Sequence, residues 1–189
     1  MYWERAGAEN TVATIEAAYA RAREMGIKHV VVASTCGPTA RKALELLPRE
    51  GGIKLIVVAH HSGFDEPGKQ QMPAEIVSEL RSKGVPVLIT THLFGGVDRA
   101  VANKFGGQYV GGLIAYTLRM FGQGTKVCVE IATMALDAGL VPYGEEIIAV
   151  GGSSNGADTA LVVRPAHAKS FFDGQVLEVI CKPRDPSTE

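Results

Sequence analysis

The sequence has no run of like charge, few aromatic side chains and no long apolar stretch, and each absence removes a class of function. Lysine and arginine number 19 against 20 aspartates and glutamates, a formal net charge of -1, so the basic footprint of a nucleic-acid binder is missing. An aromatic share of 6% also speaks against a base-stacking surface. No segment approaches the roughly 18 uninterrupted apolar residues of a membrane span, and the opening MYWERAGAEN carries charge where a signal peptide would be apolar. A cytoplasmic protein is expected, with neither nucleic acid nor a membrane as partner.

Cysteine is scarce as well. Cys36, Cys128 and Cys181 are far apart and form no CxxC pair, so the sequence predicts reduced thiols and no structural metal. Cys128 and Cys181 sit in apolar patterns and read as small buried hydrophobes.

What is present is the repeating signature of a layered α/β protein. At 189 residues the chain suits one core, and no Pro-, Gly- or Ser-rich linker divides it, so a single domain over residues 1–189 is expected. A helix runs from Asn10 or Thr11 to Gly26, with Val12, Ile15, Tyr19, Ala22 and Met25 at helical spacing. His29 to Ser34 is an apolar, β-branched run without alternation, the pattern of a strand covered on both faces. The unit repeats: helix 39–47, strand 54–60, helix 73–83, strand 86–92. Three helical stretches follow, at 97–104, 110–121 and 126–138, then strands at 146–150, 159–164 and 176–181 and a polar tail, KPRDPSTE. Strand and helix alternation with short connections calls for right-handed crossovers and a mostly parallel sheet with helices on both faces.

In such a sheet ligands collect beyond the carboxyl ends of the strands, and the turn Ser34-Thr35-Cys36-Gly37-Pro38-Thr39 lies there. Gly37 allows close backbone approach, Pro38 suits a first helical position, and the surrounding amides are unpaired donors. Three hydroxyls add to them, so the turn suits a multiply charged oxyanion. Arg41 and Lys42 follow in the helix's first turn, where cations oppose the positive end of the dipole unless an anion is bound. A plain Ser/Thr cap with solvated basic residues is the other reading. Cys36 could be a nucleophile at a helix N-terminus if His61 came within reach as base; more simply, its backbone amide matters and its side chain does not.

His60, His61 and His92 follow two successive strands along the same edge. Adjacent residues on an extended segment point to opposite faces, so His60 and His61 are not expected to ligate one metal together; His61 is expected to hydrogen-bond or stack against a planar ring, the other reading being ordinary strand-end histidines without a role. The loop GGSSNGADT offers Gly152, Ser153, Asn155 and Asp158, either as a tight turn or as ligand contacts. THLFGGVDRA, with Gly95 and Gly96 before a helix, is a second candidate anion-facing terminus.

The run VVASTCGPTARKALE resembles the strand, turn and helix of the pyruvate kinase C-terminal domain, whose STxGxTA turn receives a phosphate of the allosteric sugar bisphosphate. The rest of the chain is similar to stand-alone archaeal and bacterial proteins with that domain. GAENT (7–11), HSGF (61–64), KVCVEIATMALDAGLVP (126–142), GADTALVVRPAH (156–167) and FFDGQVLEVICKPR (171–184) carry this similarity. The resemblance implies a three-layer α/β/α sandwich with a mixed sheet and a phosphorylated ligand, with flavin mononucleotide (FMN) foremost as cofactor. Its phosphate would sit on residues 34–41 and its ring toward His61 and the 151–158 loop. No reaction is implied, and pyruvate kinase activity is not expected. The alternatives are a regulatory module that binds a sugar phosphate or nucleotide and acts through oligomer contacts, and a structural domain with a vestigial turn. A homo-oligomer is expected by analogy with the related kinase domain.

Overall fold

The computed structural model describes residues 1–185; the end of the predicted tail, Pro186 to Glu189, lies outside the described residues. Helix α1 (Thr11–Met25) stops at Gly26, whose φ of 70° is the left-handed conformation that glycine adopts without strain. Its inward stripe is Ile15, Tyr19 and Ala22, while Val12 and Met25, expected on that face, are exposed. The βα repeat follows as read: β2 (His29–Ala33), α2 (Pro38–Glu45), β3 (Lys54–Ala59), α3 (Ala74–Ser82) and β4 (Val87–Ile89). Then come α4 (Val97–Phe105), α5 (Val110–Arg119) and α6 (Gln123–Asp137), followed by β5 (Ile147–Gly151), β6 (Thr159–Arg164) and β7 (Gln175–Asp185). None of these helices is long and apolar enough to cross a membrane.

Two features depart from the expectation. A short strand, β1 (Tyr2–Arg5), precedes everything and pairs parallel with β7, whose last residues, Lys182 to Asp185, were read as tail. The sheet order is β1-β7-β6-β5-β2-β3-β4, parallel across β5-β2-β3-β4 and antiparallel where β6 meets β5 and β7.

Alternation along the central strands splits the interior into two cores. Val30, Val32, Leu55, Val57, Ile148 and Val150 pack with α1, α2 and α3 on one face. Val31, Ile56, Val58, Ile147 and Ala149 pack against Cys128, Ile131 and Ala135 of α6 on the other. The result is a three-layer sandwich. Helix α6 is buried over most of its circumference, Lys126 and Glu130 included, because the sheet lies on one side and α5 packs on the other. The apolar spacing that identified it reports only its sheet-facing side.

The N-terminal segment closes over the loop between β5 and β6 through one carboxylate. Asp158, 1% exposed, accepts the backbone N–H of Gly7 at 3.3 Å, that of Ser153 at 3.2 Å and the Thr159 hydroxyl at 2.7 Å. Its carbonyl accepts the Trp3 indole N–H at 2.8 Å, and the Thr11 hydroxyl oxygen accepts the Ala157 N–H at 3.0 Å. Removing a buried acceptor strands its donors without water. Asp158→Ala is therefore expected to cost roughly 2 to 3 kcal/mol in urea denaturation, with Asp158→Asn costing less; an Ala variant as stable as the parent would contradict this role.

Candidate functional site

The chain leaves β2 toward β3 and β4 on one side and returns through α4, α5 and α6 to β5 on the other. That reversal makes the carboxyl ends of β2 and β5 a topological switch point, where two connections diverge and leave a crevice. The strands pair parallel with Val30 opposite Ile148 and Val32 opposite Val150. Continuing this register two residues sets Ser34 level with Gly152, so the 34–39 turn and the 151–158 loop are the two walls.

The turn is held by fit as well as by sequence. Gly37 has φ 106°, and a Cβ there would come within 2.7 Å of Ile76 on α3, so glycine is required twice over. Ser34 is buried and its hydroxyl oxygen accepts the Ala40 N–H at 3.2 Å, capping α2 from within. The N–H groups of Thr35, Cys36, Gly37 and Thr39 donate to no acceptor among the described residues. These amides stand at the start of an eight-residue helix, where free N–H groups are able to meet an anion. Pro38 occupies the first helical position, and Thr39 is buried beneath the turn.

Arg41 does not face this surface. Its guanidinium turns to α3, with Nε and Nη2 at 2.9 and 2.6 Å from Glu79 Oε2, and Lys42 pairs with Glu45. Arg41 is the fourth residue of α2, so the anion demanded by its place near the dipole's positive end is Glu79. At the α4 N-terminus Asp98 accepts the Arg99 N–H at 3.0 Å and, across to α5, the Gly111 N–H at 3.3 Å.

The three histidines do converge. The His60 ring lies 3.9 Å from Phe64 and 4.9 Å from His92, and the His61 ring 5.5 Å from Phe64 and 5.4 Å from His92, centroid to centroid. Strand alternation had placed His60 and His61 on opposite faces; both reach the cluster because β3 ends at Ala59 and the chain has left extended geometry. Among the described residues no group of His, Cys, Asp or Glu is arranged to hold a metal ion.

The imidazole that meets the turn is His60, and its partner is Thr35 rather than Cys36. Gln71 Oε1 lies 2.7 Å from His60 Nδ1, and Thr35 Oγ1 lies 3.4 Å from Nε2. A proton on Nδ1 serves Gln71 and leaves Nε2 to accept from the hydroxyl. Burial, the largest influence, lowers the His60 pKa and keeps the ring a neutral acceptor. Thr35 has one hydroxyl proton to give, to His60 or to a ligand oxygen. Cys36 is exposed.

On the opposite wall, Gly152 is half-buried and so close to Gly156 and Ala157 that a Cβ would clash. Ser153 is buried with its N–H on Asp158, and Asn155 is exposed at the tip. Asp158 points inward and is fully engaged, so it shapes the loop and offers a ligand nothing. That corrects its expected role as a ligand contact.

Lys126 and Glu130 on α6 were missed, although a Lys/Glu pair four apart inside a long apolar stretch was there to be seen. Both are buried, and they form an ion pair. Glu130 Oε1 also accepts the Phe94 N–H at 3.0 Å, and the Lys126 ammonium lies 5.6 Å from the Phe94 ring centroid. The pair thus anchors the loop that carries His92. Burial pulls the Lys126 pKa down despite Glu130 beside it. Lys126→Met would leave Glu130 buried and unpaired and is expected to cost about 3 to 5 kcal/mol. Lys126→Met/Glu130→Leu should recover most of that in the same denaturation assay; a double variant no better than the single would refute the coupling.

Burial also pushes the His92 pKa down to about 4 from an ordinary 6.5. The folded protein therefore resists a proton that the unfolded chain accepts, so this histidine costs no stability above pH 6.5 and increasingly destabilises the fold as pH falls toward 4. Melting temperature should fall over that interval, and His92→Gln should lessen the slope. An unchanged slope in the variant would exclude His92 as a contributor.

The pyruvate kinase alpha/beta domain model matches residues 12–163, a span that includes both walls of the crevice and the histidine cluster. The chain belongs to the pyruvate kinase alpha/beta domain family.

Proposed function

We propose that this protein binds a phosphorylated ligand, FMN foremost, in the crevice between β2 and β5. The observation that carries the reading is the set of four unpaired N–H groups on Thr35, Cys36, Gly37 and Thr39 at a switch point and a helix N-terminus. The residues fit the group. A phosphate would take its hydrogen bonds from these amides and from the Thr35 hydroxyl, and its charge would be met by the α2 dipole, since Arg41 is committed to Glu79. The planar end would meet Phe64 and the imidazoles of His61, His60 and His92, with Gly152 and Asn155 on the facing wall. When bound, a flavin supplies its own redox chemistry; the chain's contribution here is to anchor and orient it.

Thermal shift with FMN and with riboflavin separates the two ends of the ligand, because stabilisation follows RT ln(1 + [L]/Kd). FMN is expected to raise the melting temperature by several degrees more than riboflavin at equal concentration. Equal shifts would remove the turn from phosphate binding. A sugar phosphate or nucleotide outperforming FMN would transfer the site to the regulatory reading.

A further inference from the structure

A phosphate monoester brings about 1.5 to 2 negative charges to the crevice at neutral pH, and the start of α2 offers roughly half an elementary charge in return. The basic side chains near the turn do not make up the difference. Arg41 is paired with Glu79 and Lys42 with Glu45. Lys126 is buried against Glu130, and Lys69, on the loop after β3, pairs with Glu66. About one positive charge is wanting. The titratable group hydrogen-bonded to the turn is His60, whose Nε2 lies 3.4 Å from Thr35 Oγ1.

The surroundings of His60 fix which nitrogen can change state. Gln71 Oε1 lies 2.7 Å from Nδ1, and an amide oxygen only accepts, so Nδ1 keeps its proton whether the ring is neutral or charged. The segment is braced behind the ring. The Gln70 side-chain amide donates to the His60 carbonyl at 2.8 Å, and Gln70 Oε1 accepts the N–H of Met72, a core residue, at 3.0 Å. With Phe64 and His92 packed on its sides, the ring has no second place for Nε2.

Thr35 decides what Nε2 does. In the free site the hydroxyl gives its one proton to Nε2, and the ring is neutral. A phosphate on the turn competes for that proton. Once the hydroxyl turns to a phosphate oxygen, Nε2 is a half-buried acceptor without a donor, beside a dianion. Burial is the largest influence holding the ring neutral; His61 and Lys126 add to it, while Gln71 and Glu130 oppose it. His92, pushed down to about 4, is uncharged alongside. An adjacent anion reverses the balance, because it favours the charged imidazole.

We infer that phosphate binding at the 34–39 turn takes one proton from solvent, and that His60 Nε2 holds it as the counter-ion the turn otherwise lacks. The Thr35–His60 hydrogen bond then runs the other way, from Nε2–H to Oγ1, and no covalent bond is made or broken. This rests on the phosphate reading of the turn and adds its charged partner and its pH dependence.

The test uses the full chain and FMN from about pH 8 down to about pH 6.5, above the second phosphate pKa of about 6. Calorimetric titration near pH 7, in two buffers of unlike ionisation heat, is expected to show uptake approaching about one proton per FMN. Affinity should rise by up to about tenfold per pH unit on descent. His60→Gln, which cannot charge, should bind FMN with an affinity nearly flat over the interval, whereas His61→Gln should keep the parent's slope. Nuclear magnetic resonance of the His60 imidazole in the parent makes the test independent of how the variant folds. Saturating FMN should raise its titration midpoint by about 1 to 3 pH units. A midpoint unmoved with FMN bound, or a His60→Gln variant with the parent's slope, would overturn the inference and leave the phosphate reading standing. FMN that binds no better than riboflavin would overturn both.

Discussion

Parallel pairing of β2 with strands on both of its sides is the constraint from which the rest of the site follows. A chain that adds strands to one side of β2 and later to the other must send its two connections apart at the carboxyl edge, and the gap between them is the crevice. Everything placed there is then held to close tolerance. Gly37 admits no Cβ because Ile76 stands behind it, and Gly152 admits none because its own loop folds back against it. Each wall is shaped by backbone, with side chains filling in behind.

Scaffold and site compete here for the same polar atoms, and the scaffold takes most of them. Asp158 holds the N-terminal segment, Ser34 caps α2, Arg41 ties α2 to α3, and Asp98 ties α4 to α5. What is left for a ligand is backbone N–H, one threonine hydroxyl and an aromatic cluster, a set suited to a compact anion joined to a planar ring. The buried Lys126–Glu130 pair belongs to the scaffold side too. Its worth is largely geometric, since an apolar pair of similar volume would restore most of the stability but would leave the Phe94 amide without its acceptor.

The fold was legible in the sequence wherever burial imposed a period. The apolar runs of β2 and β3, the capped α1 and the helix-rich return to β5 all follow from it. The switch-point turn was legible for a different reason: glycine and proline at fixed offsets after a strand carry conformational meaning by themselves. β1 was not legible because YWER is short, charged and paired at a sheet edge, with no apolar signal to mark it. The partners of Arg41 and Asp158 were hidden for a related reason. Glu79 lies 38 residues from Arg41, and Gly7 lies 151 from Asp158, distances at which local pattern says nothing about who meets whom. His60 and His61 were assigned to opposite faces by carrying strand geometry two residues past the end of β3 at Ala59.

The clasp on Asp158 also sets an order of assembly. Trp3, Gly7 and Thr11 wait on partners at Asp158 and Ala157, and β1 waits on β7, so contacts near the start of the chain are completed by residues made near its end. Closing such separations is entropically slow. On a ribosome the βα repeats from β2 to β4 can form as they emerge, while the 151–158 wall has no frame until β6 and β7 follow. The 151–158 wall is therefore framed late, and a nascent chain carries a finished 34–39 turn with nothing opposite it.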